Sequence, residues 1–373
     1  FWFHFLCHMW FSSVFGFSET SFSETKKKFK FDQDSARLTS LANQRSFFVG
    51  PFECPTVGTL LSQLNAGASA KAKEATGVEG GAEGCGGGKL SFTHITGNVS
   101  TLHKDPKNNG AVFQVASQFN CLEMVGPKVT PQDGITNYIH DKTQGPACAL
   151  ACPAATVYRN YFVTVGSKLT GQAKRQLNLL SSVEQCVNNS KHRFWDLKNG
   201  YCLPTSPTSL SQLNSVLCDP SSDLPARVAD SIKVGVHWST EVETKSTHSS
   251  SSPSFPSSSH CVAQVFCSAM PVAYAKSTKS EDWAPISKLC LDGAYMGTLA
   301  VAAILAQSRG CRVPVYLTCL GGGAFGNRQQ WICDAIGKAL SQFRSHQIDV
   351  FLVHFSTQPK SAFKSLPNLK AQI

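Results

Sequence analysis

Several features that mark specialised proteins are scarce or absent in this 373-residue sequence. Charged residues make up only 16%, and the one basic run is three lysines at 26–28, so the net charge of +10 does not indicate a specific nucleic-acid partner. No two of the 15 cysteines have CxxC spacing, which argues against a disulfide scaffold. No segment reads as the roughly 18 apolar residues of a membrane span. We therefore expect a reduced, intracellular protein of the cytoplasm or nucleus.

Composition divides the chain into three parts. Residues 1–45 open with an aromatic stretch too short to cross a bilayer as a helix, and we expect them to be disordered or to lie outside the fold. A membrane-surface or targeting role is the alternative for this stretch. Residues 46–357 predict a single domain with low-complexity insertions at 66–88 and 246–259, followed by a frayed tail at 358–373.

Strand-like and helical patterns alternate along the predicted domain. Apolar and β-favouring runs predict strands at residues 89–95, 110–119, 233–238, 261–274, 313–320 and 349–355. Apolar residues at helical spacing predict helices at residues 287–307 and 328–343, and a further helix is predicted at 174–187. Pro153 should kink or end the helical stretch at 146–161. This alternation indicates an α/β fold with a mixed central sheet.

The most informative feature is a glycine loop between a predicted strand and a predicted helix. Gly321, Gly323 and Gly326 satisfy the GxGxxG pattern. Backbone without Cβ atoms can approach a ligand closely, and N–H groups at a helix start attract anions. The loop therefore predicts phosphate or pyrophosphate binding, with a tight packing turn as the alternative. A Rossmann site is disfavoured, because only one convincing strand follows the loop.

Two asparagines follow other predicted strands. Asn120 ends the strand at 110–119, where polar groups face the ligand crevice of open α/β sheets; a simple strand-end turn is the alternative. Asn98 follows the strand at 89–95 and either contacts a ligand or caps the next helix.

Three motifs in this order resemble those of macrodomains, the ADP-ribose-binding α/β/α modules. They are ITGNVSTL at 95–102, VASQFN at 115–120 and the glycine loop at 321–326. The resemblance covers about residues 88–357 and suggests a divergent branch of the family. It implies a three-layer α/β/α sandwich with a mixed central sheet.

The resemblance also implies a role for individual residues. Asn98 stands where an aspartate usually accepts the adenine amino group, the Val99 N–H would bond the adenine ring, and Asn120 would hold the distal ribose. The family's first glycine loop is absent, and the predicted helix start at Gln144 and Gly145 is a plausible substitute. The implied ligand-binding residues are Asn98, Val99, Asn120, Gln144, Gly145, Gly321, Gly322, Gly323, Ala324, Phe325 and Gly326.

Glu123 and Asn120 are the candidate catalytic residues. Glu123 lies three residues after Asn120, so its carboxylate can sit beside the same ribose and assist an attacking water; a solvated or capping acid is the alternative. Asp133 and Asp141 are secondary candidates. No metal ligands and no cofactor are predicted.

We therefore expect a monomeric ADP-ribosyl hydrolase whose partner is ADP-ribose or an ADP-ribosylated protein. A non-catalytic reader of ADP-ribose is the first alternative. A general nucleotide-binding module or degenerate scaffold is the second.

Overall fold

A seven-stranded sheet lies at the centre of the computed structural model, which describes residues 10–75, 89–244, 260–355 and 361–366. The strands are β1 (Phe29–Asp32), β2 (Arg37–Ser40), β3 (Ser46–Phe48), β4 (Phe52–Glu53), β5 (Ser91–Thr96), β6 (Val112–Ala116), β7 (Thr164–Val165), β8 (Lys168–Leu169), β9 (Trp195–Lys198), β10 (Tyr201–Pro204), β11 (Gly235–Glu241), β12 (Cys261–Cys267), β13 (Val313–Leu317) and β14 (Ile348–His354). The α-helices are α1 (Phe22–Lys27), α2 (Val57–Ala75), α3 (Val99–Lys104), α4 (Gln144–Ala151), α5 (Pro153–Val157), α6 (Ser181–Cys186), α7 (Ser209–Leu217), α8 (Leu224–Ser231), α9 (Ala284–Arg309) and α10 (Gln329–Gln342).

The central sheet is mixed, as the alternating pattern predicts. Its strand order is β4-β11-β12-β6-β13-β14-β5. The five strands from β12 to β5 run parallel, whereas β11 is antiparallel to both of its neighbours. The carboxyl ends of the five parallel strands therefore meet at one edge, where ligands bind in open α/β sheets.

Strand β6 shows how helices cover both faces of the sheet. Residues 112–115 are buried, as expected of an apolar strand at the centre of a parallel sheet. On one face the Gln114 side chain donates a hydrogen bond to Thr298 of α9, at 3.2 Å. On the other face the Phe113 ring stacks on His103 of α3, with 3.7 Å between ring centroids. The predicted three-layer α/β/α sandwich is confirmed.

The long helix α9 matches the prediction at residues 287–307. Together with the preceding turn it forms a helical stretch, Ser280–Arg309, long and apolar enough to cross a membrane, contrary to the expectation that no segment has this character. Most of the stretch is buried inside the fold, where α9 packs against α2, α10 and the sheet. Its apolar composition is therefore that of a core helix.

The other predicted helices differ in accuracy. Helix α10 matches the prediction at 328–343, and the helical stretch at 146–161 breaks at Pro153, with α4 before it and α5 after it. The helix predicted at 174–187 is wrong in extent, because only α6 is helical there.

Residues 10–45 contradict the expectation of a segment outside the fold. Residues 10–15 are helical, and α1, β1 and β2 follow. The rings of Phe11 and Phe15 are fully buried, in a second apolar cluster that also contains Tyr161 and Phe162. The aromatic residues that looked foreign to a globular domain thus form part of its core. Residues 1–9 lie outside the described residues.

Both predicted insertions fall largely outside the described residues. Helix α2 continues to Ala75, so the connector predicted at 66–88 is wrong for its first ten residues, and residues 76–88 are not described. The insertion predicted at 246–259 is likewise outside the described part. The tail predicted to fray at 358–373 contains a 3-10 turn at Ser361–Ser365, in which Phe363 is buried.

Candidate active site

A cleft lies at the edge where the parallel strands end. It consists of two cavities of about 620 and 220 Å³ that share lining residues on both sides of the cleft. The shared lining residues are Asp141, Thr143, Gln144, Thr318, Cys319 and Gly323. Small-molecule pockets typically span roughly 300–1,000 Å³, so the cleft is large enough for a dinucleotide-sized ligand.

The glycine loop forms one wall of this cleft. It begins after β13 and ends at the start of α10, and it is closed by hydrogen bonds from Gly326 N–H to the Gly323 carbonyl and from Asn327 N–H to the Gly321 carbonyl, at 3.0 and 2.9 Å. Gly326 has φ +73°, a left-handed conformation that favours glycine, and a Cβ there would lie 3.0 Å from Cβ of Ala273. This conformation turns the chain from the strand into the helix.

The middle of the loop presents unpaired N–H groups. The backbone N–H groups of Gly323, Ala324 and Phe325 donate no hydrogen bond to any described residue. Gly322 and Gly323 line the larger cavity, while Gly321, Gly323, Ala324 and Phe325 line the smaller one. Gly326 lines neither cavity, so its role is in the turn. The loop thus places hydrogen-bond donors where the two cavities join, as an anion site requires.

Asn98 and Val99 line the larger cavity, where Asn98 caps α3 and Val99 is its first residue. Oδ1 of Asn98 accepts the Ser100 N–H at 2.9 Å, so the capping alternative is realised. A carbonyl oxygen has a second lone pair, which leaves Asn98 able to accept another hydrogen bond from a ligand. The Val99 N–H has no acceptor among the described residues. Both residues therefore line the larger cavity with groups able to bond a ligand, and the adenine contacts that the resemblance implies stay a prediction.

Gln144 lies at the start of α4, in the wall opposite the glycine loop. Its side chain accepts the Ala116 N–H at 2.9 Å and donates to the Gln114 carbonyl at 2.7 Å. Because β13 pairs with β6 only as far as Phe113, this amide continues the hydrogen bonding of β6. Gln144 thus lines both cavities and also fixes α4 against the sheet.

Gly145 has a packing role. A Cβ at this position would lie 1.9 Å from the carbonyl oxygen of Ala116 and 3.2 Å from Cγ of Glu123. Only glycine permits this close approach of α4 to β6. Gly145 lines neither cavity, so the structure does not place it against a ligand.

Asn120 does not occupy its predicted position in the cleft. It is fully buried, its Nδ2 donates to Oε1 of Gln176 at 2.9 Å, and its Oδ1 accepts the Leu122 N–H at 3.1 Å. The chain turns inward after β6, so Ser117 and Gln118 line the smaller cavity instead. Asn120 is buried and lines neither cavity, so the structure does not place its side chain against the distal ribose.

Glu123 lines the smaller cavity, as the prediction requires of a catalytic carboxylate. Its side chain is fully buried, and Oε1 lies 3.4 Å from Nη2 of Arg159. Oε2 has no hydrogen-bond partner among the described residues. Burial raises the pKa of Glu123 to about 7, although the Arg159 guanidinium lowers it. A carboxyl group with a pKa near neutrality can exchange protons with a substrate at physiological pH.

Of the two secondary acidic candidates, one lines the cleft and the other does not. Asp141 lines both cavities, and its Oδ1 accepts the Thr143 N–H at 2.8 Å. Asp133 accepts hydrogen bonds from Thr130 in a surface turn and lines neither cavity. No group of three His, Cys, Asp or Glu side chains in the described ranges lies close enough to hold a metal ion.

Aromatic residues complete the cleft, and most of them were missed by sequence reasoning. Phe325 packs against Tyr201 and Tyr274 in the smaller cavity, with ring centroids 5.5 and 5.6 Å apart. Phe355, at the end of β14, lines the larger cavity and is 67% exposed. An aromatic residue at the carboxyl end of the strand predicted at 349–355 is the signal that could have identified it, because ligands bind at that end of parallel strands.

Comparison with known proteins places few constraints on the chain. No protein-family model matches it, and no curated protein matches it. Among solved structures, it is similar to poly(ADP-ribose) glycohydrolase from Thermomonospora curvata, at 12% identity over 97% of this chain and 98% of that chain, with a TM-score of 0.43. It is also similar to poly(ADP-ribose) glycohydrolase from Deinococcus radiodurans in complex with ADP-ribose, at 12% identity over 84% and 92% of the two chains, with a TM-score of 0.35. At TM-scores below 0.5 we infer neither ligand nor reaction from these similarities.

Proposed function

We propose that this protein binds ADP-ribose and hydrolyses the bond that links ADP-ribose to a modified protein side chain. One observation carries the proposal: a single cleft presents both the free N–H groups of the glycine loop and the buried carboxyl of Glu123. The first feature suits a pyrophosphate and the second suits chemistry beside it.

The two cavities suggest how the ligand lies. The adenosine part would occupy the larger cavity beside Asn98 and Val99, and the pyrophosphate would cross the glycine loop at Gly323. The distal ribose would then enter the smaller cavity, against the ring of Phe325 and next to Glu123. This order follows from the loop lying where the two cavities meet.

In the proposed reaction, water attacks the anomeric carbon of the distal ribose. The Glu123 carboxylate takes a proton from the water as the new C–O bond forms and the bond to the acceptor side chain breaks. The proton then passes to the departing side chain, so that free ADP-ribose and the unmodified acceptor result. The free N–H groups of the loop hold the diphosphate in place during this step.

The pH dependence of turnover tests the assigned role. Since the pKa of Glu123 is raised to about 7, the base form is lost as the pH falls through that value. We expect kcat/KM to fall about tenfold per pH unit below pH 7. Glu123→Gln should abolish turnover and retain ADP-ribose binding. Activity that instead rises toward low pH would assign Glu123 as an acid.

Binding is tested first by calorimetry of the full chain with ADP-ribose, with ADP and ATP as controls. Selective binding of ADP-ribose would support the proposed site. Equal affinity for ADP-ribose and its guanine analogue would favour the general nucleotide-binding module. No binding by a folded protein would exclude the ADP-ribose assignment.

A non-catalytic reader is the second candidate. The observation that favours it is the ion pair between Glu123 and Arg159, since a carboxylate held by a buried cation can be purely structural. Release of ADP-ribose from proteins modified on Glu, Ser or Arg distinguishes the two. Binding without release, in wild type and Glu123→Gln alike, identifies a reader.

The setting we propose is the cytoplasm or nucleus, with the protein acting as a monomer on ADP-ribosylated proteins. The 13 cysteines in the described residues are all free thiols, which suits a reducing compartment. Light scattering of the full chain in solution tests the monomer.

A further inference from the structure

Arg159 is a fully buried cation next to Glu123, which lines the smaller cavity. It follows α5, and its Nε donates to the Cys121 carbonyl at 2.9 Å, while Nη2 lies 3.2 Å from the Thr156 hydroxyl. Nη2 also lies 3.4 Å from Glu123 Oε1. One guanidinium thus holds both the backbone two residues before Glu123 and the carboxylate itself.

The charge of the buried Arg159 guanidinium must be compensated by neighbouring groups. An isolated buried charge costs several kcal/mol, and a carboxylate partner offsets part of that cost. The guanidinium carbon also lies 3.8 Å from the ring centroid of Phe266, a cation–π contact from β12. Nη1 has no partner among the described residues. Among the described residues, the Glu123 carboxylate is the charged group paired with this cation.

The loop that carries Glu123 is also held from its other side. The Tyr138 hydroxyl accepts the Glu123 N–H at 3.0 Å. Cys121 has φ +59°, a left-handed conformation that is rare for a residue with a side chain. The Arg159 contact to the Cys121 carbonyl holds this strained turn, which brings Glu123 to the cavity.

We propose that Arg159 is a positioning residue of the reaction: its guanidinium fixes the Glu123 carboxylate at the smaller cavity and favours its proton-accepting form. This inference rests on the proposed function and assigns Arg159 no contact with substrate.

The other titratable groups that face the pair stay neutral in the relevant pH range. Burial raises the pKa of the Cys121, Cys148 and Cys152 thiols and of the Tyr138 hydroxyl. Burial also lowers the pKa of His237, which faces Arg159 from β11. Asp141 is the other carboxylate that lines the smaller cavity, and Asp141→Asn controls for it. A change in activity near pH 7 is therefore assigned to the titration of the Glu123 carboxyl.

Replacement of Arg159 separates positioning from simple stabilisation. Arg159→Met removes the cation that lowers the pKa of Glu123, so the pH at which activity is lost should move upward by at least one unit. At pH 7 the turnover should fall at least about fivefold and recover toward pH 9. KM should change less than twofold, since the ligand-binding loop is untouched. Arg159→Lys should restore part of the turnover.

The measurement is the release of ADP-ribose from modified proteins between pH 5.5 and 9.5. Arg193→Met is the matched control, because Arg193 is an exposed cation stacked at 4.7 Å on the Phe194 ring. An unchanged pH profile in Arg159→Met, with turnover lower at every pH, would overturn the proposal. If Arg159→Met does not fold, Arg159→Gln takes its place, and an unshifted pH profile in that neutral variant would overturn the proposal.

A second measurement keeps this inference separate from the proposed hydrolase activity. The pKa of Glu123 is raised above its unfolded value, so its contribution to stability is present at low pH and is lost as the pH rises through about 7. In Arg159→Met this loss should extend at least one pH unit higher, and with Glu123→Gln added it should vanish. Urea denaturation at a series of pH values measures this change in the free energy of unfolding without any substrate. If wild type and Arg159→Met lose stability over the same pH range, the proposal is rejected, even if the protein is only a reader.

Discussion

At the scale of single residues, Gly323 separates the ligand-binding role of the glycine loop from its role as a turn. A Cβ built on Gly323 meets no atom within 4 Å, and the residue lines both cavities. A side chain there would enter the cleft without disturbing the protein. Gly323→Val should therefore change the free energy of unfolding by less than about 0.5 kcal/mol. It should weaken ADP-ribose binding more than tenfold, measured by calorimetry.

Gly326→Val is the matched control for that substitution. Its φ of +73° and the nearby Cβ of Ala273 make any side chain strained, so we expect lower stability, read by urea denaturation. A Gly323→Val protein that binds ADP-ribose as wild type does would identify the loop as a packing turn.

At the scale of elements, the Gln144 side chain ties the start of α4 to β6. Gln144→Ala would leave the Ala116 N–H and the Gln114 carbonyl without their present partner. Loss of such buried bonds costs about 1–3 kcal/mol, which urea denaturation measures. Gln330→Ala is the control, because the Gln330 side chain is exposed and, within the described ranges, bonds only to Asp334 on the same helix. Equal stability of the two variants would show that α4 is held without Gln144.

The same elements mark how far sequence reasoning reaches. Apolar periodicity predicts β6, α9 and α10, because each element buries an apolar face against the core. The pattern that encodes such a face involves only residues close together in the sequence. The glycine loop is also local, since its pattern requires only a strand before it and a helix after it. The position of the Asn120 side chain could not be predicted in this way, because it depends on Gln176 and on the inward turn after β6.

Arg159 and the N-terminal segment escaped prediction for a related reason. Arg159 pairs with a residue 36 positions away, and its only local signal is a cation inside the apolar run at 153–163. The aromatic residues before position 18 share a buried cluster with residues around 160, and no local pattern encodes that association. Contacts between residues that are distant in the sequence therefore limit how much of the structure can be predicted from it.

At the scale of the whole molecule, the N-terminal segment is joined to the active-site side of the fold. The Glu19 carboxylate accepts the N–H groups of Ile135 and Thr136 and the hydroxyl of Tyr161. The turn that begins at Thr136 carries Tyr138, whose hydroxyl holds the Glu123 backbone. We therefore expect that the segment is required for both stability and catalysis.

Phe15→Ala tests this expectation in the full chain. The Phe15 ring is fully buried and packs on Phe11 and Phe29 with centroids 4.8 and 5.0 Å apart. Its loss should lower the free energy of unfolding by about 3–5 kcal/mol, measured in urea. Leu41→Ala, at a 47% exposed side chain of the same segment, should cost little. A Phe15→Ala protein as stable as Leu41→Ala would mean that residues 10–45 are peripheral, and a chain starting at residue 46 would then suffice for the binding assays.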